Sequence, residues 1–573
     1  MLVGLRSRKA LLAWILLVLL RLLIALTSTS AIHPDEHFQN PEIAAGLLLD
    51  YKSTGNALLK TWEWIEDKPC RSIAPVWGST GLAFALLKRV GGDAPSGRAL
   101  FVAQRLWMWL LSLFVDCSLW SISRSSLTLL LFASSPVTLT FLLRPFSNSL
   151  ETVVLAVAFL LADRILRKTT VKLGRSALLL LGATLALGVW TRVTFVAFAA
   201  PLVVAVALHA AQTTSNEVWK RRPLAFALSV FPAIASFAVT AFALIIVDTA
   251  HFSSSLPSSF PLSSILRTPL ILTPLNLLNY NLDSSNLADH GLHPRYLHLV
   301  ANWPMLFGVG LWAAADAVWW SSKGMGVAKE GQLRRGQLYL ASFVVPPLLL
   351  SIQPHQEPRF LVPLIIPLAL LAPSASFFKL GTSSARRKRV SFWSIWILHS
   401  LIFTALFGYL HQGGLVPALL KLNDELRTPG LPFLGGQKGV AAPAHVDLVF
   451  WKTFMPPRHL VLPLLDDPRS APSIRIADLS GAPPSQLLST IHSLNTLIST
   501  FKESNISSNI LLVMPAYLFD AAEKELSALG GEVDWWPRQV FEGRTFGVHV
   551  DMDRLNSVVG ASWERMGVGV WEV

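Results

Sequence analysis

The stretch Ala31–Glu42, AIHPDEHFQNPE, directly follows an apolar run, Ala10–Leu26, rich in Leu, Ile, Val and Ala. Two adjacent carboxylates, Asp35 and Glu36, therefore stand where a membrane helix ends, flanked by His33 and His37. Pro34 biases His33 away from helical geometry, which places the acids in a turn or at a helix start. Neighbouring residues do not share a helix face. An acidic pair at i and i+1 thus suits a site where one carboxylate meets a substrate and the other orients it. The plainer reading is a first helical turn in which both acids answer the helix dipole.

Working outward, the chain of 573 residues is 52% hydrophobic and 14% charged, with mean hydropathy +0.49. A soluble domain carries about a quarter charged residues, so the composition is that of a polytopic α-helical membrane protein. The formal charge of +13 comes from basic residues clustered in short loops between apolar runs. That is the pattern of cytosolic membrane loops and argues against a nucleic-acid partner. Cys70 and Cys117 are the two cysteines, one in a polar loop and one inside an apolar run, so no disulfide framework is expected. Residues 1–30 resemble a secretory signal, but a retained anchor is expected, because cleavage near Ser30 would detach the acidic loop from its support.

Further apolar runs of near-spanning length lie at Leu100–Trp120, Leu127–Leu143, Leu150–Leu166, Ala177–Val193, Phe195–Ala210, Leu224–Val247, Tyr296–Trp319, Gln337–Ile352, Phe360–Phe377 and Phe392–Leu410. Ile73–Leu87, with Pro75, Gly78 and Gly81, is weaker. Let the N-terminal Arg6, Arg8 and Lys9 be cytosolic, and let Ile73–Leu87 lie in the interface. Then the basic clusters at Arg164–Arg175, Lys220–Arg222, Lys323–Arg335 and Arg386–Arg389 all fall in the cytosol; if it crosses, all four move outside. About eleven spans are expected. The expected division is a membrane-embedded catalytic domain over 1–410, with outer loops at 28–99 and 248–295, and a small mixed α/β outer domain over 411–573.

This topology gathers the polar, motif-like loops on one face. Loop one supplies His33, Asp35, Glu36, His37 and Gln39, then TWEWIEDKPCRS (61–72) with Trp62, Trp64, Glu66, Cys70 and Arg71. RPFSNSLET supplies Arg144, Asn148 and Glu151, and GVWTRVTF sets Arg192 among apolar residues. The segment Thr273–Arg295 supplies His290, His293 and Arg295; PHQEPRF supplies His355, Glu357 and Arg359; HQGG supplies His411 and Gln412. An arginine at membrane depth calls for a partner, since its insertion costs roughly 2.5–3.5 kcal/mol. Each alone reads as an internal ion pair or a snorkelling side chain. Several on one face, near acids and histidines, fit a phosphate, whose oxygens match guanidinium forks. The pairs His33/His37 and His290/His293 have zinc-like spacing, but Pro34 and Pro294 interrupt both and no cysteine cluster joins them, so no metal site is expected. Trp62 and Trp64 suit either stacking on a sugar or anchoring at the interface. Asn505-Ile-Ser507 is the chain's one glycosylation sequon. Arginines and acids among helices also describe an ion-coupled transporter, although here the ionisable residues collect at one face and no inverted halves are visible.

HPDEHFQNPE, PCRSIAP, RPFSNSLET, SSNLADHGLHPR, HQEPRFLVP, HQGG and FWKTFMPPRHL, in that order, resemble the dolichyl-phosphate-mannose-dependent mannosyltransferases of the endoplasmic reticulum (glycosyltransferase family 22). Among these, HPDE with Phe38, PCRS and HGLHPR are most similar to the branch that adds the fourth mannose to the glycosylphosphatidylinositol (GPI) precursor; the branch adding the third mannose is its nearest relative. The resemblance implies a GT-C fold, a lumenal active site, and inverting α-1,2 transfer from the lipid donor without a cofactor. It implies Asp35 as general base with Glu36 orienting or sharing, and Arg359, His355, Arg192 and Arg144 around the donor phosphate. His33, Gln39, Arg71, His290, His293, Arg295 and Glu357 are expected around the substrates.

Overall fold

Helices form wherever the sequence is continuously apolar. The computed structural model describes residues 8–51, 58–65, 67–167, 174–213, 223–253, 262–288, 291–323, 330–428, 444–467, 472–503, 508–528, 538–541, 547–559 and 561–573. Five helices among them are long and apolar enough to cross a membrane: Arg8–Thr27, Gly97–Ser123, Phe195–Gln212, Phe226–Phe252 and Ser383–Leu410. Arg175–Thr191 and Pro358–Ser374 are apolar but shorter. Leu228, Phe231, Ile234 and Val239 on the fourth are all more than half exposed, a surface that lipid covers and water would not tolerate.

Ser147–Leu166 and Glu330–Leu350 are continuous helices, while other runs are helical but broken, for identifiable reasons. Leu127–Leu143 becomes Ser126–Ala133 and Pro136–Thr140, because Pro136 starts a new helix. Tyr296–Trp319 breaks at Gly308, whose φ is +46°. A Cβ there would meet the His399 ring at 2.9 Å. Phe360–Phe377 carries Pro363, Pro367 and Pro373 and alternates 3-10 and α turns from Pro358 to Lys379. The weak segment is helical at Ile73–Val76, makes a π turn at Trp77–Gly81, and is helical again at Leu82–Gly91.

Contacts divide the chain into two compact units. The first comprises Met1–Ile24, Thr61–Ser79 and Leu106–Ile402. In it, Arg21 of the first helix makes a buried ion pair with Asp116 and donates to Ser112 Oγ at 3.2 Å. Gly182 lets the helix Arg175–Thr191 lie against Pro223–Phe252, since a Cβ at 182 would stand 2.0 Å from the Ala233 carbonyl oxygen. Small residues at crossings are how membrane helices approach closely.

The second unit comprises Ala25–Lys60, Thr80–Arg105 and Phe403–Val573. So residues 28–60 and 80–105, assigned by the sequence to the catalytic domain, group with the tail. The tail holds a five-stranded sheet: β1 (His445–Trp451), β2 (Ser473–Leu479), β3 (Ser508–Pro515), β4 (Arg538–Phe541) and β5 (Val568–Glu572), in the order β2-β1-β3-β5-β4. β1 pairs in parallel with β2 and β3, and β5 pairs antiparallel with β3 and β4. The helix Pro484–Glu503 links β2 to β3 and packs Leu487 and Ile491 on Val449, Ile510, Leu512 and Trp571 of the sheet. The bidentate Arg475–Asp447 pair, with Arg475 Nη2 at 3.0 Å from Oδ2, joins residues that are register partners.

Candidate functional site

In the second unit the acidic motif folds as a helix start. Pro34 precedes a single turn, Asp35–Phe38, with both acids in it, and Asn40 precedes the helix Pro41–Leu48. His33 lies outside the turn, as the proline requires. The two neighbouring carboxylates diverge. Asp35 keeps 27% of its side chain exposed and lies beside His33, whose Nδ1 is 3.5 Å from Asp35 Oδ1. Gln39, itself buried, donates from Nε2 to Asp35 Oδ2. Glu36 turns inward, fully buried, with Oε1 at 2.6 Å from Arg105 Nη2. A carboxylate in that setting is committed to its partner and closed to a substrate. Asp35 is the more exposed of the two acids.

In the first unit the arginines assemble. Arg71 belongs to the PCRS stretch, which Asp248 fixes by accepting from Ser72 Oγ at 2.8 Å and Ile73 N at 3.1 Å. Arg71 itself donates to Glu63 Oε1 from Nε at 2.9 Å and Nη2 at 2.6 Å. Arg192, at the end of Arg175–Thr191, lies 3.7 Å from Glu151 Oε2 and shares Thr194 with it. Arg359 grips Glu357, with Nη2 at 2.9 Å from Oε1. The guanidinium groups of Arg192 and Arg359 both face Phe360, at 5.2 and 5.5 Å from the ring centroid. Arg71 and Arg359 both bear electrostatically on Arg192. Nη1 of Arg71 and Nη1 of Arg192 are buried donors with no hydrogen-bond partner among the described residues. Buried N–H groups in this state are costly unless an acceptor reaches them, and a phosphate supplies several acceptors at once.

His355 completes this group. Nδ1 lies 3.0 Å from the Gly291 carbonyl oxygen and Nε2 lies 2.8 Å from Glu357 Oε1. Burial alone would push its pKa down, but the bonds to Glu357 and Gly291 outweigh it and raise the pKa. Two oxygens facing both ring nitrogens call for two ring protons, hence a cation. Gln356 ties the loop together: Nε2 donates to the Arg295 carbonyl at 2.9 Å, and Oε1 accepts from His298 N at 2.7 Å.

The other expected residues fall as follows. His293 stands beside His355, ring centroids 5.8 Å apart, and accepts from the Gln356 amide at 3.3 Å. Arg295 contributes its backbone carbonyl while its side chain is exposed. Arg144 is fully buried in the turn after Pro136–Thr140. His290, Glu66 and Asn505 lie outside the described residues. Trp62, partly buried, stacks on Tyr280 at 4.1 Å, and Trp64 is buried against Phe252 at 6.2 Å, which leaves Trp64 no face for a sugar. Among the described residues no three His, Cys, Asp or Glu side chains converge as a metal set. Sequence reasoning missed Glu63, Arg105, Glu42, Asp248 and His459. Glu42, Glu63 and His459 sit in quoted motifs, while Arg105 and Asp248 belong to apolar helices, and apart from Glu63 each depends on a partner far away in the chain.

Comparison with known proteins follows the geometry. The Alg9-like mannosyltransferase family profile matches residues 12–454. GPI mannosyltransferase 4 of Emericella nidulans is 32% identical, over 97% of both chains. GPI alpha-1,2-mannosyltransferase 4 of Homo sapiens is 34% identical, over 84% of this chain and 80% of its own. The crystal structure of ArnT from Cupriavidus metallidurans in the apo state aligns with a TM-score of 0.50 at 12% identity, over 98% of this chain and 97% of that one; this is a likeness of fold, of the GT-C type. The chain is a helical membrane glycosyltransferase, and it belongs to the Alg9-like mannosyltransferase family.

Proposed function

We propose that this chain transfers the fourth mannose, in α-1,2 linkage, from dolichyl-phosphate-mannose to a trimannosyl GPI precursor at the lumenal face of the endoplasmic reticulum membrane. The relatives matched over most of both chains are named GPI mannosyltransferase 4 and GPI alpha-1,2-mannosyltransferase 4, which supports the reading. The observation that carries the chemistry is the buried arginine set, with free N–H groups on Arg71 and Arg192, which suits the phosphate of a lipid-linked sugar.

The reaction is one in-line displacement. The Asp35 carboxylate takes the proton of the acceptor hydroxyl as that oxygen bonds to the anomeric carbon. The bond from that carbon to the phosphate oxygen breaks with its electron pair, and dolichyl phosphate leaves. Inversion turns a β-linked donor into an α-linked product. General-base assistance of this kind is worth about 10²–10⁴-fold. Arg71, Arg192, Arg359 and the His355 cation offset the phosphate charge that grows as the bond breaks. The departing phosphate is already ionised and needs no acid.

The topology that serves this reading has about eleven spans, counting the broken helices with the long ones, and an outer, lumenal tail. Membranes containing the chain, supplied with labelled dolichyl-phosphate-mannose, are expected to elongate a trimannosyl GPI acceptor. Elongation of the dimannosyl GPI precursor, or of a lipid-linked oligosaccharide, in its place would reassign the acceptor. Proton- or sodium-dependent uptake without mannose transfer would make the chain a transporter.

A further inference from the structure

Behind Asp35 lies a continuous set of buried ionisable side chains, all within the second unit, that the transfer chemistry does not use. Arg105 Nη2 meets Glu36 Oε1 at 2.6 Å, and His37 Nε2 stands 3.8 Å from the same oxygen. The His37 ring is 5.9 Å from the ring of His459, centroid to centroid. His459 Nδ1 lies 2.6 Å from Glu42 Oε2, and its backbone N–H donates to that oxygen at 3.1 Å. Glu42 Oε1 accepts from Leu59 N at 3.2 Å. Tyr51 donates to the His459 carbonyl at 3.2 Å. Glu36, His37, Glu42, Arg105 and His459 are each no more than 2% exposed.

One carboxylate thus fixes three pieces of chain: the helix Pro41–Leu48 that carries it, the loop at Leu59, and the turn Arg458–Val461 that follows β1. That turn is further held by Asn423, whose Nδ2 donates to the Leu462 carbonyl at 3.0 Å while Oδ1 accepts from Gly97 N at 2.9 Å. A buried ion pair is a poor way to add stability, since well-packed apolar residues do as well. Its virtue is directional. It fixes one geometry, and displacing a catalytic group by about 1 Å can cost about 10²-fold in rate.

We propose that Glu42 and His459 are positioning residues, a buried carboxylate–imidazole lock through which the FWKTFMPPRHL segment sets the place of the helical turn bearing Asp35. The inference rests on the transfer reading above, and it gives the post-membrane segment a part in catalysis. His459→Ala removes the side-chain donor. His459→Asn keeps an amide N–H near the place of Nδ1. In membranes of equal enzyme content, His459→Ala is expected to lower kcat by about tenfold to a hundredfold, with the donor KM changed less than about threefold, and His459→Asn to recover most of kcat. An unchanged kcat in His459→Ala, a loss confined to KM, or a His459→Asn variant no better than His459→Ala overturns the proposal. Should His459→Ala not accumulate, Glu42→Gln, which keeps the shape and an acceptor oxygen, is read by the same kcat criterion.

A second arm needs no acceptor. The rate at which a hydrophilic maleimide labels an Asp35→Cys variant in detergent is compared with and without His459→Ala. A change of more than about threefold supports the lock, and an unchanged rate overturns it. If the wild-type chain transfers no mannose, the transfer reading fails, and this arm still decides whether the lock positions residue 35.

Discussion

Glu36 Oε1 lies 2.6 Å from Arg105 Nη2 with both side chains sealed from solvent, while Asp35, one residue earlier, keeps 27% of its side chain exposed. Adjacent acids of the same motif therefore do different work. Removing one partner of a buried pair leaves the other charge uncompensated, at a cost of roughly 3–5 kcal/mol. Arg105→Ala and Glu36→Ala are expected to lower the amount of folded protein and its thermal midpoint in detergent. Asp35→Asn is expected to leave both near wild type. Immunoblots and thermal unfolding of the three variants check this split; equal destabilisation by Asp35→Asn would contradict it.

The loop PHQEPRF carries a pH dependence. The pKa of His355 is raised because Glu357 and the Gly291 carbonyl favour its cation over the opposing effect of burial. A histidine raised in this way contributes fully below its ordinary value near 6.5, and its contribution is lost as pH rises through the raised value. Apparent donor affinity is expected to weaken as pH rises through and above neutrality. His355→Gln should bind donor more weakly at pH 6 and lack that alkaline limb. Arg359→Ala should raise the apparent donor KM throughout. KM profiles of wild type and the two variants across pH 6–9 check this; parallel profiles for wild type and His355→Gln would remove the imidazole from donor binding.

Gly182 tests the packing that carries Arg192. A Cβ at this position would fall 2.0 Å from a backbone oxygen, that of Ala233, which cannot rotate away. Gly182→Val is expected to force the helices Arg175–Thr191 and Pro223–Phe252 apart, lowering abundance and thermal stability. Gly174→Val, where a Cβ meets nothing within 4 Å, is the control expected to cost little. Thermal unfolding of both variants in detergent distinguishes them.

The parts of this protein that were legible in sequence are those governed by local composition. Continuous apolar runs gave helices and Pro34 put His33 outside the helical turn, whereas Pro136 and Gly308 break two runs that were expected to be continuous. That Arg359 and His355 share Glu357, and that Arg192 and Arg359 face the same Phe360 ring, agrees with the expectation that these residues gather. What was not readable depends on long-range partners. Nothing local to HPDE says that Glu36 turns in to Arg105, 69 residues away, or that Glu42 meets His459 across 417 residues. Trp62 and Trp64 had two readings in sequence, and burial against Phe252 decides for Trp64. Arg71 was expected near substrate, but Glu63, which aims it, was hidden among the acids of TWEWIEDKPCRS.

The central claim is that the exposed acid of the motif performs the proton transfer. The most direct measurement is the single-turnover rate of mannose transfer from labelled dolichyl-phosphate-mannose to the trimannosyl GPI acceptor by purified Asp35→Asn, at the same protein content as wild type and with donor saturating. A rate lower by about 10²–10⁴-fold with donor binding retained is the predicted result. Transfer by Asp35→Asn within about threefold of wild type would contradict the account.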